Sequence, residues 1–330
     1  MRLERAELLT TDTPQLFEAA VRRATELLQA GQVVALPTET VYGLAADALD
    51  AIAVAKIFEA KGRPRFDPLI VHLPDGDWLE KVADVPKQDR PLVAKLAEKF
   101  WPGPLTMVLP KRELVPEIVT AGLDTVAVRI SAHPAFTEIV RAFGKPLAAP
   151  SANRFGRISP TTAKHVFDDL NDLIPLIIDA GPATHGIEST IVAVSAGRIE
   201  VLRRGPITSE QLSEQGEVEI AKPSDKITAP GQLPSHYAPR TPLRLIDDLK
   251  SFRTNERCAL LAWTPVKSDN RFVAIRNLSE TQDLREAAAN LFRHLRELDE
   301  LGHDLIVAER VPDQGLGAAI LDRLIRASHS

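Results

Sequence analysis

The sequence predicts a mixed α/β chain built as two units. Three observations carry this: short apolar runs alternate with amphipathic helical stretches up to Arg204, a proline-rich stretch without regular period follows, and βα alternation resumes beyond it. The length agrees, since 330 residues exceed the roughly 250 at which one core usually stops growing.

Leu16, Phe17, Ala20, Val21, Ala24, Leu27 and Leu28 fall at helical spacing after Pro14, and Gly31 stops that helix before a strand at Val33 to Leu36. Further strands are expected at Pro68 to Leu73, Leu105 to Leu109, Val126 to Ile130, Leu176 to Asp179 and Thr190 to Val194. Helices are expected near Ala51 to Ala60, Pro91 to Lys99 and Thr161 to Leu170, the last capped by Ser159 with Pro160 in its first turn. Ile220 to Pro242 holds six prolines or glycines that break any period and reads as a linker. After it come strands at Ala259 to Trp263, Phe272 to Ile275 and Leu305 to Ala308, with helices through Leu284 to Leu298 and Gly317 to Arg326, the pattern of a small Rossmann-like sheet.

Composition excludes several classes. With 44% hydrophobic and 26% charged residues, the chain is neither disordered nor collagenous, and no run approaches the ~20 apolar residues of a membrane span. The net charge of −5 gives no overall attraction for polyanions, so a basic binding surface must be a local cluster. The single Cys258, in an apolar run, excludes an internal disulfide and a CxxC metal site and fits a reducing cytoplasm. No Walker A loop, Gly-x-Ser-x-Gly elbow or His-Glu-x-x-His site is present.

Seven polar segments stand out, most of them at expected strand ends. Pro37-Thr-Glu-Thr-Val-Tyr-Gly43 follows a strand, where α/β sheets place ligands, although turn chemistry alone accounts for it equally. Lys61-Gly-Arg-Pro-Arg65 packs three cations into five residues, suited to phosphates or to a solvated helix end. His72 interrupts an apolar strand, and Arg129 shares a strand face with Thr125 and Ala127; that Arg needs an anionic partner, either a ligand or a buried carboxylate. Pro150 to Thr162 supplies Ser151, Asn153, Arg154 and Arg157 beside an expected helix N-terminus. Gly186-Ile-Glu-Ser-Thr190 and Leu202-Arg-Arg-Gly-Pro206 add hydroxyls and two more cations. Together they describe a groove for a phosphorylated ligand, which an RNA backbone would also fit.

PTETVYGLAADA, KGRP with PLIVHL, WPGPLTMVL, TVAVRI followed by His133-Pro134, PSANRFGRISPT, GIESTIV and LRRGPI occur in that order, and they resemble the threonylcarbamoyl-AMP synthase family in its longer, two-domain form. The resemblance implies a twisted mixed sheet with helices on both faces and a concave basic groove: a YrdC-like catalytic domain at 1–207, a linker at 208–242 and a Rossmann-like accessory domain at 243–330. It implies synthesis of L-threonylcarbamoyl adenylate from L-threonine, bicarbonate and ATP with release of pyrophosphate, the first step of threonylcarbamoyladenosine formation beside the tRNA anticodon. Thr40, His72, Arg129, Ala149 and Ser189 match positions that hold threonine. Lys61, Arg63, Thr125, Ser151, Asn153, Ser159 and Arg203 match nucleotide positions, with Lys61 and Arg63 in the catalytic role and Mg²⁺ arriving as the ATP complex. Asp67 stands at an ATP-contacting position where Asn is frequent, and its charge would reach phosphate through Mg²⁺. In the linker Gln232 replaces a frequent Met, while His236 and Tyr237 match residues that reach the active site. Partners implied are the downstream threonylcarbamoyl-transfer machinery and a weak tRNA contact, with no membrane and a cytoplasmic location. A relative forming an unsubstituted carbamoyl adenylate is disfavoured, because such domains sit in larger chains with zinc fingers and this chain has one Cys.

Overall fold

A computed structural model describes residues 5–222, 228–231 and 236–329. The chain begins β1 (Glu7–Thr10), α1 (Pro14–Gln29), β2 (Val34–Leu36), β3 (Gly43–Asp47), α2 (Ala51–Lys61), β4 (Ile70–His72), α3 (Leu79–Val82) and α4 (Arg90–Phe100). It continues β5 (Leu105–Pro110), α5 (Glu117–Thr120), β6 (Thr125–Arg129), α6 (Pro134–Phe143), β7 (Leu147–Ala148), α7 (Ala163–Leu170), β8 (Leu176–Asp179), β9 (Thr190–Ser195) and β10 (Arg198–Arg203). Then follow α8 (Ser209–Ser213), β11 (Val218–Ile220), β12 (Leu243–Ile246), β13 (Cys258–Ala262), β14 (Phe272–Asn277), α9 (Leu284–Glu300), β15 (Leu305–Glu309) and α10 (Leu316–Ala327).

The first eleven strands form one mixed sheet in the order β1-β8-β2-β3-β7-β4-β6-β5-β9-β10-β11, and the last four form a parallel sheet ordered β12-β15-β13-β14. The expected strands and helices are present. Several elements are additions: β1 is a half-exposed edge strand, β3 is Gly43-Leu-Ala-Ala-Asp47, whose Gly and Ala have weak strand preference, and α6, β10 and β12 were not expected although they carry apolar positions. Helix α7 starts later than expected. Its N-cap is Thr162, whose side chain accepts from His165 N, and Ser159 instead donates to Glu188. The stretch expected as linker opens with two regular elements: α8, closed by a Thr208/Gln211 capping box, and β11, parallel to β10. Gln232 lies outside the described residues. No helix among the described residues is long and apolar enough to cross a membrane.

The two sheets share a core. Val41, Ile158 and Ile187 from the first unit are buried in one cluster with Leu261, Leu291, Leu295 and Ile320 of the second. At about 25 cal/mol per Å² of apolar surface, such burial fixes the second unit against the loops at the end of β2 and before β9. Cys258 is buried on β13 among Leu260, Phe272 and Leu305, the packed strand thiol expected from its apolar run.

Candidate active site

The polar segments meet at one edge of the large sheet. His72 and Arg129 are register partners at the C-terminal ends of the parallel strands β4 and β6. β5 runs antiparallel to β6, so its start lies at this same edge, where Leu105 pairs with Thr190 just after Ser189. Two glycines draw the walls together. A side chain on Gly205 would fall 2.4 Å from Thr190 N and 2.6 Å from Glu188 O, so only Gly allows the segment after β10 to lie on Glu188–Ser189. Gly231, at φ +80°, lets its backbone pass beside the Tyr237 hydroxyl and Arg203. A bulge between Val201 and Arg203 shifts the register and aims the Arg203 side chain inward.

The result is a narrow cavity of about 50 Å³, and its lining includes Thr40, His72, Arg129, Ala149 and Ser189 together with Arg63, Ser151, Arg203, His236 and Tyr237. Each arginine is already engaged. Arg129 Nη2 donates to Glu39 Oε1 at 2.5 Å, Nη1 to Thr40 Oγ1 at 3.0 Å and Nε to Gly103 O at 3.0 Å. The anionic partner that its strand position required is therefore Glu39, whose other oxygen accepts from Ser131 at 2.5 Å. Arg63 follows the left-handed cap Gly62 of α2; its Nη2 donates to Pro68 O at 2.8 Å and pairs with Asp67 at 2.9 Å. Arg203 donates to Ser189 O and Oγ and to Pro230 O.

The other expected site residues lie behind these walls. Lys61 is buried and its Nζ donates to the backbone oxygens of Ser151 and Asn153, both at 2.6 Å, so it ties down the 150–153 loop instead of facing the cavity. Burial first, then repulsion from Arg63, holds its pKa well below the usual lysine range. The Asn153 amide donates to the carbonyls of Arg154 and Arg157, and Ser159 is bonded to Glu188. Asp67 is buried against Arg63, not turned to the cavity, and burial raises its pKa. Thr125 shares the face of Arg129 but sits at the other end of β6, ~13 Å away at strand rise; between them Ala229 packs on Ile70, Val108, Ala127 and Ile191. Arg154 and Arg157 line a separate cleft with Asp168, Asp169 and Arg296, while Arg204 is paired with Asp313 at the surface.

Two groups set the electrostatics. Burial favours a neutral Glu39, but Arg129 and the Ser131 hydroxyl outweigh it and hold the carboxyl down at about 2. Burial and then Arg129 push His72 down to about 3, so its ring is neutral; it lies 4.7 Å from Phe136 with Nδ1 unpartnered. Both signs point one way. An exposed His titrates near 6.5, so the share of stability from neutral His72 is complete above that pH and is lost as pH falls toward 3; Glu39 adds a loss from 4.5 down to about 2. The thermal midpoint should therefore drop on acidification from pH 6.5, and His72→Gln should make that drop shallower. An unchanged slope in the variant would contradict the burial argument.

The family profile described as Telomere recombination (Sua5, YciO, YrdC) matches residues 26–205, and the profile described as Threonylcarbamoyl-AMP synthase, C-terminal domain, matches 207–329. The threonylcarbamoyl-AMP synthase of Pyrococcus abyssi is 40% identical over 334 residues, covering 95% of either chain. The chain belongs to the threonylcarbamoyl-AMP synthase family. The Bacillus subtilis threonylcarbamoyl-AMP synthase is 39% identical across 97% of this chain and 94% of its own. The crystal structure of P. abyssi Sua5 complexed with L-threonine superposes with a TM-score of 0.89 at 37% identity, covering 99% and 98% of the two chains. As a threonylcarbamoyl-AMP synthase, the chain joins L-threonine, bicarbonate and ATP into L-threonylcarbamoyl adenylate, the first step of tRNA threonylcarbamoyladenosine synthesis. Sequence reasoning named most of the cavity wall but passed over Glu188 in it and the Glu39–Ser131 pair behind Arg129. For the two carboxylates a signal was present, since both stand inside quoted motifs.

Proposed function

We propose that threonine binds at the β4–β6 end of the cavity and the ATP phosphates lie between Arg63 and Arg203. The observation that carries this is the convergence of three buried guanidinium groups, Arg63, Arg129 and Arg203, on one cavity in a chain of net charge −5. Arg129 and Thr40 would take the threonine carboxylate, Ser189 and the backbone of Ala149 would orient the amino acid, and the free Nδ1 of neutral His72 would accept from its polar hydrogens. The carbamate formed from threonine and bicarbonate attacks the α-phosphate in line, its oxygen displacing pyrophosphate. Arg63 and Arg203 stabilise the charge that grows on the leaving group, so fixed cations and alignment supply the rate with no covalent nucleophile. Lys61 and Asn153 act by shaping the Ser151 loop, and Asp67 by holding Arg63.

Mg²⁺ belongs to this proposal as the ATP complex, held by phosphate oxygens. Glu188 is the lining carboxylate, and both its oxygens are engaged by Ser159 and Arg323; among the described residues no group of His, Cys, Asp and Glu forms a metal cage. The segment at 228–231 and His236–Tyr237 covers the groove, so ATP entry requires it to move, with the catalytic unit ending near 207, the covering segment within 208–242 and the accessory unit at 243–330. The adenylate then passes to transfer machinery in the cytoplasm, with at most a weak contact to tRNA. Pyrophosphate release should require threonine and bicarbonate together. Release indifferent to threonine would overturn the assignment.

A further inference from the structure

Arg323 has no part in the site just proposed, yet it is completely buried. It stands on α10 in the stripe of Ile320, Leu324 and Ala327, where an apolar side chain would pack as well. Its Nε donates to Glu188 Oε2 at 3.0 Å and its Nη1 to Asp322 Oδ2 at 2.9 Å; its guanidinium lies 5.3 Å from the Tyr237 ring centroid; and its Nη2 has no partner among the described residues. The other oxygen of Glu188 accepts from Ser159 at 2.5 Å. One carboxylate in the cavity wall is thus held from both units. The next residue, Ser189, bonds Arg203 Nη2 at 3.0 Å and Thr106 at 2.8 Å.

Stability does not explain this arrangement. A buried ion pair is about neutral against well-packed apolar residues of the same volume, and a buried N–H without a partner is a cost. We propose that Arg323 is a positioning residue through which the second unit sets the reaction geometry: it orients Glu188, and through it Ser189 and Arg203, while its charge holds the Tyr237 ring over the cavity. The inference rests on Ser189 meeting threonine and Arg203 meeting the phosphates.

The test is a double-mutant cycle of Arg323→Met and Glu188→Gln in the full chain, followed by threonine-dependent pyrophosphate release and thermal midpoint. Arg323→Met should lower kcat about 100-fold, the effect of a displacement near 1 Å at a reacting site, with the KM for ATP little changed. Because Glu188→Gln removes the stranded charge, the double variant should be no slower than Arg323→Met. Arg323→Lys keeps the charge without the planar fork and should fall between wild type and Met. A folded Arg323→Met with wild-type kcat, or losses that simply multiply in the double variant, would overturn the proposal, since a structural role alone shifts only the thermal midpoint. Should the Met variant not fold, wild-type kcat in Arg323→Lys has the same force. Ser189→Ala measured in parallel separates the two levels: an unchanged threonine KM there defeats the threonine site itself, whatever Arg323 does.

Discussion

Arg63→Met combined with Asp67→Asn should reduce turnover about 10²–10³-fold while the protein stays folded, the loss expected when a preorganised cation is removed from a developing negative charge. The pairing of substitutions matters. Arg63 and Asp67 are 2.9 Å apart and both buried, so Arg63→Ala alone would strand a carboxylate at a cost of about 3–5 kcal/mol. A fall in activity from that single variant would mix unfolding with catalysis. Neutralising both partners removes the stranded charge and leaves the missing guanidinium as the difference. Steady-state pyrophosphate release with a parallel thermal melt reads the result, and wild-type turnover in the folded double variant would remove Arg63 from the phosphate site.

The second large effect is at Arg129. Arg129→Met with Glu39→Gln should raise the KM for threonine about 100-fold, because charge-assisted hydrogen bonds to a carboxylate contribute about 1.5–3 kcal/mol and each 1.4 kcal/mol is tenfold. The Glu39 partner is again changed so that no buried carboxylate is left unpaired. Glu39→Gln alone should act in the other direction: with its counter-charge gone, Arg129 would attract the substrate carboxylate more strongly and the threonine KM should fall. Steady-state kinetics reads both KM values and isothermal titration with threonine the matching dissociation constants, and equal affinity in the paired variant and wild type would contradict the assignment.

Much of the architecture was legible in the sequence because most buried strands and amphipathic helices carry their period with them. Val34–Leu36, Leu105–Pro110 and Thr190–Ser195 read directly as apolar runs. β1, β3 and β7 did not, because edge exposure, small side chains and a length of two residues leave no pattern to detect. Of the candidate site, the residues whose side chains line the cavity were all within recognisable motifs. What the motifs did not separate was Lys61 from Arg63: two residues apart, one is turned into backbone carbonyls and the other lines the cavity, because the left-handed turn at Gly62 reverses the chain between them.

A mildly acidic, two-unit α/β chain with one packed thiol, a proline-rich linker and its basic motifs in family order was determined by the sequence alone, since each is a property of local composition and period. Only the tertiary structure decided which cations face one cavity. It sent Arg154 and Arg157 to another cleft, paired Arg129 with Glu39 and Arg63 with Asp67, and brought Arg323 from the last helix to Glu188. The physical reason is that a buried charge must find its partner in space, and the partner's distance along the chain, 135 residues for Arg323 and Glu188, leaves no trace in local sequence.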